Sequence, residues 1–421
     1  MGSRTRRRAT LHFTTSSSAA CPVWPRSCAS RARSDRRSPA RSTARVLPDR
    51  GRCGDDRAAL APDTLLPRSR IMDETSRIAA RLRQFGETEA PTSPLYQRLA
   101  PLAADRPSLL RLLQDRLPGQ PPANVLLAAV QRRLMDRPDA ALRAYYPTLG
   151  GSLAPDAALE AAFDAFWPAE HAALAELIRT RRSATNEVRR AAVLRLGYVV
   201  LARRLVAMGL PPSAHLVEIG ASAGLTLLWD RFAYRYGETT FGPPDAALTL
   251  VSAWRSPDPP PATAPFTPAG RIGLDLAPPS VHDPDAMAWL RALIWPEHVE
   301  RARLFDQALA LARRHPPPVE AVDALAWLPA GLDTLPERLP AVVVHAFTVN
   351  QFSTSMRHQL DQALAEAAAL RPVFRLGYEW TGTPAAALTL TTYPGGRTTT
   401  LATADAHGAW IEPRERFMAE G

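Results

Sequence analysis

Between residue 72 and about residue 208, apolar positions recur at spacings of three and four. Examples are "DETSRIAARLRQFG" and "PSLLRLLQDRL", with Asp, Ser or Pro ahead of the runs and Gly or Pro behind them. That period predicts amphipathic helices, and no segment in this half alternates as a half-buried strand would. The longest run, "NEVRRAAVLRLGYVVLARRLVAMG" (186–209), is apolar over most of one side and predicts a helix capped by Gly209. The notable breaks are "YYPTLGGS" (145–152) and "RTRRSATNE" (179–187).

Past residue 213 the period changes. "LVEI" (216–219) is a short apolar run between turn signals, as in a buried strand. Leu225, Leu228, Trp229 and Phe232 then fall at i, i+3, i+4 and i+7 and predict a helix stopped by Gly237. Residues 243–268 hold eight prolines around "ALTLVSAW" and are expected to be an inserted hairpin or loop outside the core. Strands at 271–276, 319–325, 341–347 and 373–378 are interleaved with helices at 284–294, 296–314 and 353–370. "AALTLTTYPGGRTTTLATA" (386–404) predicts an antiparallel hairpin around Pro-Gly-Gly. The expected fold class is α/β. A helical domain at 72–209 precedes a Rossmann-like, doubly wound, mostly parallel sheet at 213–412, which ends in the antiparallel hairpin.

Charge changes the picture at one end only. The 421 residues carry a formal net charge of +10, but residues 1–71 alone hold 16 Arg against 5 Asp. The other 350 residues are therefore close to neutral. No lysine occurs anywhere, so the arginine reads as genomic composition rather than as selection for phosphate contacts, and no nucleic-acid partner is expected. The 1–71 segment is expected to be disordered and to precede a true start at Met72. Cys21, Cys28 and Cys53 all lie within it, which removes disulfides and thiolate chemistry from the body. No apolar run approaches membrane-spanning length, so a cytoplasmic location without a membrane partner is expected.

Five residues carry two signatures at once. Gly220-Ala-Ser222-Ala-Gly224 reads as G-x-S-x-G, the turn that presents a nucleophilic serine. Glu218-Ile-Gly220-x-x-x-Gly224 reads as a glycine turn whose backbone amides face a nucleoside cofactor. A hydrolase order Ser222, Asp323, His407 can be assembled, but the strand before Ser222 is the first of the sheet and no H-G-G-G motif is present. The cofactor reading makes more demands and finds them met. Glu218 ends the first strand, where an acid can hold an ammonium. Asp275 ends the second strand, where an acid takes ribose hydroxyls. Asp323 follows the third, where an acid takes the adenine amine, though an Asp before "ALAWL" also suits a helix cap. Gly220, Ser222 and Gly224 would line the cofactor loop.

This order resembles the S-adenosylmethionine-dependent methyltransferase fold over roughly residues 213–411, with Ser222 where a middle glycine is usual and a long insertion before the second strand. The resemblance implies S-adenosylmethionine as cofactor and a small-molecule acceptor. His345, at the end of the fourth strand, and Glu187 are then the candidate bases. Asn186 and His407 are candidate substrate ligands, on a helical domain and a terminal turn that would close over the pocket. The bland alternatives are a helix cap for Asn186-Glu187 and structural roles for both histidines. A non-catalytic nucleoside-binding or partner-recruiting module is the second reading, and a serine hydrolase using Ser222 the third. At closer range, "YPTLGG" (146–151), "TNE" (185–187), "VEIGASAGL" (217–225), "WDRFAYRYG" (229–237), "GLDLAP" (273–278), "WLRALIWP" (289–296), "VVVHAF" (342–347) and "DAHGAW" (405–410) resemble domain-of-unknown-function family 2332, bacterial proteins without an established activity.

Overall fold

The computed structural model describes residues 73–414 apart from 185, 262–265, 337–338 and 384; the expectations for 1–71 and for Met72 lie outside the described residues. Helices α1 (Glu74–Gln84), α2 (Pro94–Ala104), α3 (Pro107–Gln114), α4 (Pro122–Met135), α5 (Leu159–Ala169) and α6 (His171–Thr180) build an N-terminal helical layer. Their starts follow local chemistry. The Asp73 side chain accepts from Ser76 N ahead of α1, the Ser93 side chain accepts from Tyr96 N ahead of α2, and prolines open α2, α3 and α4. The layer closes on its own core, which includes Leu82, Leu99, Leu126, Tyr146 and Phe163.

α7 (Arg190–Ala207) comes next and ends as expected. Gly209 adopts φ +73°, and the amides of Gly209 and Leu210 return to Val206 O (2.9 Å) and Leu205 O (2.8 Å). Its start and its burial differ from expectation. The helix begins at Arg190 rather than Asn186, and every residue from Arg190 to Ala202 is buried. A helix covered all round is central rather than a surface amphipath, and α7 lies against β8, β9 and β10 of the sheet described next.

The strands are β1 (Ser213–Ile219), β2 (Ala233–Tyr236), β3 (Thr239–Phe241), β4 (Thr249–Trp254), β5 (Thr267–Asp275), β6 (Val319–Ala321), β7 (Ala341–Ala346), β8 (Val373–Trp380), β9 (Ala386–Tyr393), β10 (Arg397–Ala404) and β11 (Trp410–Pro413). They form one eleven-stranded sheet in the order β3-β2-β4-β11-β10-β9-β8-β7-β1-β5-β6. The run β6-β5-β1-β7-β8 is parallel, β8-β9-β10-β11 is antiparallel, and β4 joins β11 and β2 in parallel. The connecting helices are α8 (Pro284–Ala292), α9 (Val299–Arg314), α10 (Ala324–Thr334) and α11 (Thr354–Ala367). Alternation along the strands sorts the two faces. Leu216, Val342 and Val344 join the core with α7 and α9, while Val217, Val343 and Ile219 join that with α10 and α11. The protein is thus a mixed α/β structure with a helical N-terminal region and a large, mostly parallel sheet.

Two segments depart from the sequence reading. The helix expected from Leu225 to Gly237 is a short 3-10 stretch (Leu225–Arg231), followed by the β2–β3 hairpin around Gly237, φ +57°. Phe232, Tyr234 and Tyr236 are buried at every second position, the small Ala233 is buried between them and Arg235 is exposed, a spacing that pairing with β4 rewards. The proline-rich 243–268 segment is not excluded from the core, because it supplies β4, whose Leu250 and Ser252 are 0% and 1% exposed. Its prolines flank that strand instead of interrupting it.

Candidate functional site

In a doubly wound sheet, neighbouring strands whose connections leave in opposite directions open a crevice at their carboxyl ends. Here those strands are β1 and β7, which pair from His215↔Ala341 to Ile219↔His345. The turn after β1 has φ +71° at Gly220, +52° at Ser222 and +70° at Gly224. A positive φ is unusual for serine and marks local strain held by its surroundings. What holds it is Asp275, at the end of β5: its Oδ2 accepts from Ser222 N at 2.9 Å and its Oδ1 from Ala277 N at 2.9 Å.

The expectation that the 220–224 amides face a ligand needs correction for four of the five. Gly220 N and Ala221 N donate to Leu274 O at 2.8 and 3.3 Å, Ser222 N to Asp275, and Gly224 N to Ala221 O at 2.8 Å. The first three hold the turn onto β5 and the last closes the turn on itself, which satisfies these N–H groups in so tight a bend. A Cβ on Gly220 would lie 2.4 Å from Thr348 Oγ1, and one on Gly224 2.7 Å from Val319 Cγ2, so both glycines also answer to close packing.

Glu218 lies beneath the turn, 5% exposed, and accepts from Thr226 Oγ1 at 2.5 Å. Burial pushes its carboxyl up to about 7; the Thr226 bond opposes this and the nearby Asp275 adds to it. Asn186 reaches the turn from the helical side, with Nδ2 3.5 Å from Ser222 Oγ. Glu218, Gly220, Ser222, Gly224, Asp275 and Asn186 therefore meet. Asp323 sits one strand further along and is exposed, and its Oδ1 accepts from Leu325 N at 2.9 Å, which is the N-cap role.

His345 is 4% exposed at the end of β7, with Nδ1 2.6 Å from Glu379 Oε1. Glu379 also accepts from Thr348 N and Val349 N (3.0 Å each) and from Asn350 N (3.2 Å), binding the end of β8 to the loop after β7. Burial alone would raise the Glu379 carboxyl, but His345 and these amides together hold it below its usual value. His345 Nε2 is buried, without a partner among the described residues, above Gly377.

A cavity of about 590 Å³ opens between the helical layer and the carboxyl end of the sheet. Asn186 and His407 line it, together with Arg189, His298, Arg301 and Trp380. Glu187 is 4% exposed and ion-paired with Arg301, and its Oε1 accepts from Arg189 N at 3.1 Å just ahead of α7. Burial first, and then the surrounding arginines, hold His298 down to about 4 and His407 down to about 3, so both rings are neutral at pH 7. Arg301 Nη1 donates to His298 Nδ1 at 2.8 Å, and His298 Nε2 is 2.9 Å from Thr92 Oγ1.

Sequence reasoning missed Arg189, Arg190, Arg301, His298 and Glu379. Among 51 basic residues that are all arginine, none of these arginines stood out. The usable signal was the Arg189-Arg190 pair at the start of the long helix.

No curated protein matches the chain. A family model described as "Uncharacterized protein conserved in bacteria", domain-of-unknown-function family 2332, matches residues 79–412. That span takes in both layers, the glycine turn and the cavity, and the chain belongs to this family.

Proposed function

We propose that the chain is an S-adenosylmethionine-dependent methyltransferase acting on a small molecule. The observation that carries the reading is the meeting of Glu218, Ser222, Asp275 and Asn186 at the carboxyl edge of adjacent parallel strands, beside a cavity of about 590 Å³. The fit is one of side chains rather than backbone. Glu218 and Asp275 are the groups to hold an ammonium and ribose hydroxyls, while four of the turn's five amides are committed internally. The cofactor would supply a methyl group from a sulfonium, which asks the protein mainly for orientation and exclusion of water. The helical layer and the 405–409 turn enclose the acceptor side, where Asn186 and His407 contact the bound molecule. Glu187, tied to Arg301, orients that wall, and His345 is a base only if Nε2 finds a path to the acceptor.

Titration calorimetry with S-adenosylmethionine tests the cofactor, with Asp275→Ala as the weakened variant. Heat from the wild type and a loss of about tenfold or more in affinity in the variant are expected, since a hydrogen bond to a charged group contributes about 1.5–3 kcal/mol. No heat from the wild type overturns the reading. Binding without turnover to S-adenosylhomocysteine in the presence of metabolite extract favours a nucleoside-binding module. One observation favours a serine hydrolase instead: Ser222 holds φ +52° inside G-x-S-x-G. Against it, among the described residues only Asn186 is within hydrogen-bond reach of Ser222 Oγ. Labelling of Ser222 by a fluorophosphonate would establish that alternative.

A further inference from the structure

One wall of the cavity is built from separated segments and brings two arginines together. Arg189 lines it from the turn before α7, Arg301 and His298 from the start of α9, and His407 from the β10–β11 turn. Arg190 lies just behind. It is 7% exposed, forms no ion pair with a carboxylate among the described residues, donates Nε to Ala406 O at 3.1 Å, and rests 4.1 Å from the Phe347 ring centre. The carboxylates around these three arginines are engaged. Glu187 pairs with Arg301, Glu89 with Arg81 and Glu300 with Arg303, and Asp405 accepts the amides of His407 and Ala409 at 3.0 and 3.2 Å.

Arg189 is the unmatched member. Among the described residues its buried Nε has no hydrogen-bond partner and no carboxylate pairs with its guanidinium. Its backbone is pinned, because the β10–β11 turn packs so closely that a Cβ on Gly408, φ +74°, would fall 2.7 Å from Arg189 O. The Arg189 side chain is only part-buried, but a guanidinium N–H shut away from water without an acceptor is costly, and such a group in a cavity wall marks the place for an anion. Aromatic rings share the wall with aliphatic side chains such as Leu290 and Leu293: Tyr96, Trp295 and Trp380 line the same space. Trp295 is itself braced by Phe85, Tyr96 and His298, with ring centres 5.7, 5.9 and 5.4 Å away.

We infer that this cavity is a binding site for an organic oxyanion, a carboxylate or phosphate borne on an apolar, ring-sized body, with Arg189 and Arg301 holding the anionic head. The neutral His407 ring can contribute a donor without adding charge, and the aromatic and aliphatic lining takes the body. The site does not depend on whether the glycine turn binds a cofactor.

The test is titration calorimetry of the full chain with phenylacetate, phenyl phosphate and the uncharged phenylacetamide. In the wild type at least one acid is expected to bind about tenfold or more tightly than the amide, and more weakly as salt is added. Arg189→Met keeps the aliphatic stem and is expected to abolish that preference. Arg179→Met, which breaks an exposed pair with Glu176 on α6, leaves it intact. The stronger of the two acids identifies the head group. Equal binding of acid and amide, no heat from either acid, or a preference retained in folded Arg189→Met would each overturn the inference. Should Arg189→Met not fold, the wild-type salt dependence decides: an acid affinity unmoved by salt overturns it.

Discussion

Glu218 sits in an environment that its type disfavours. A carboxylate under a buried turn is disfavoured by desolvation, and the Thr226 hydroxyl offsets this only in part, so the acid titrates near 7 rather than near 4.5. The folded form therefore binds this proton more tightly than the unfolded chain does. That contribution to stability is fully present below about pH 4.5 and is lost as pH rises through about 7. Its full size is about 3 kcal/mol, because every tenfold gain in proton affinity is equivalent to about 1.4 kcal/mol. Glu218→Gln mimics the protonated acid, so it should be near neutral at pH 5 and more stable than the wild type at pH 8 by about that amount. Urea unfolding at the two pH values measures it, and parallel profiles for both proteins would contradict the account. A cation bound over Glu218 should bring its carboxyl back toward the ordinary range and release a proton. Calorimetry of S-adenosylmethionine in buffers of different ionisation enthalpy would detect that release.

Single elements explain which parts of the site could be read from sequence. β1, β7 and β8 were legible because apolar runs bounded by turn residues have few other solutions, and the acids at strand ends followed from strand order. The segment after Gly224 was misread because Leu225, Leu228, Trp229 and Phe232 are buried in either conformation. Only β4, from a proline-rich stretch, makes the strand the better choice. The arginine cluster was illegible for a different reason. Its members come from positions 189, 298–301 and 407, and no local pattern joins them. Glu379 is a similar case, a strand-end acid whose purpose appears only with the loop it binds. It accepts four hydrogen bonds, from His345 and three amides, so Glu379→Ala should leave buried donors unmatched. A loss of about 2–4 kcal/mol is expected by urea unfolding, with Glu379→Gln losing less. Equal losses for both would mean that side-chain volume, not acceptor chemistry, is what matters there.

Across the whole molecule, the two halves of the sequence are not two independent bodies. α8 and the residues after it enter the helical layer: Trp289 Nε1 donates to Arg182 O at 2.8 Å, Gln131 Nε2 to Ile294 O at 2.8 Å, and Glu297 accepts from Ser93 Oγ and Leu95 N. From the other side, α7 belongs to the core of the sheet although it precedes every strand. Its closest approach is at Gly197, where an added Cβ would lie 2.3 Å from Leu376 Cδ1, both residues being in packed surroundings. Gly197→Ala would gain up to about 1 kcal/mol of helix propensity, but the overpacking costs about 1–3 kcal/mol, so a net loss is expected. Leu376→Ala alone should cost about 2–5 kcal/mol through the cavity it leaves. In the double variant the new methyl enters the space vacated by leucine, so the combined loss should fall short of the sum by at least about 0.5 kcal/mol. Native-state hydrogen exchange adds the test of shared cooperativity. If α7 joins both layers, Gly197→Ala should lower protection in α4 and in β8 alike; loss confined to β8 would show that the helical layer stands without it.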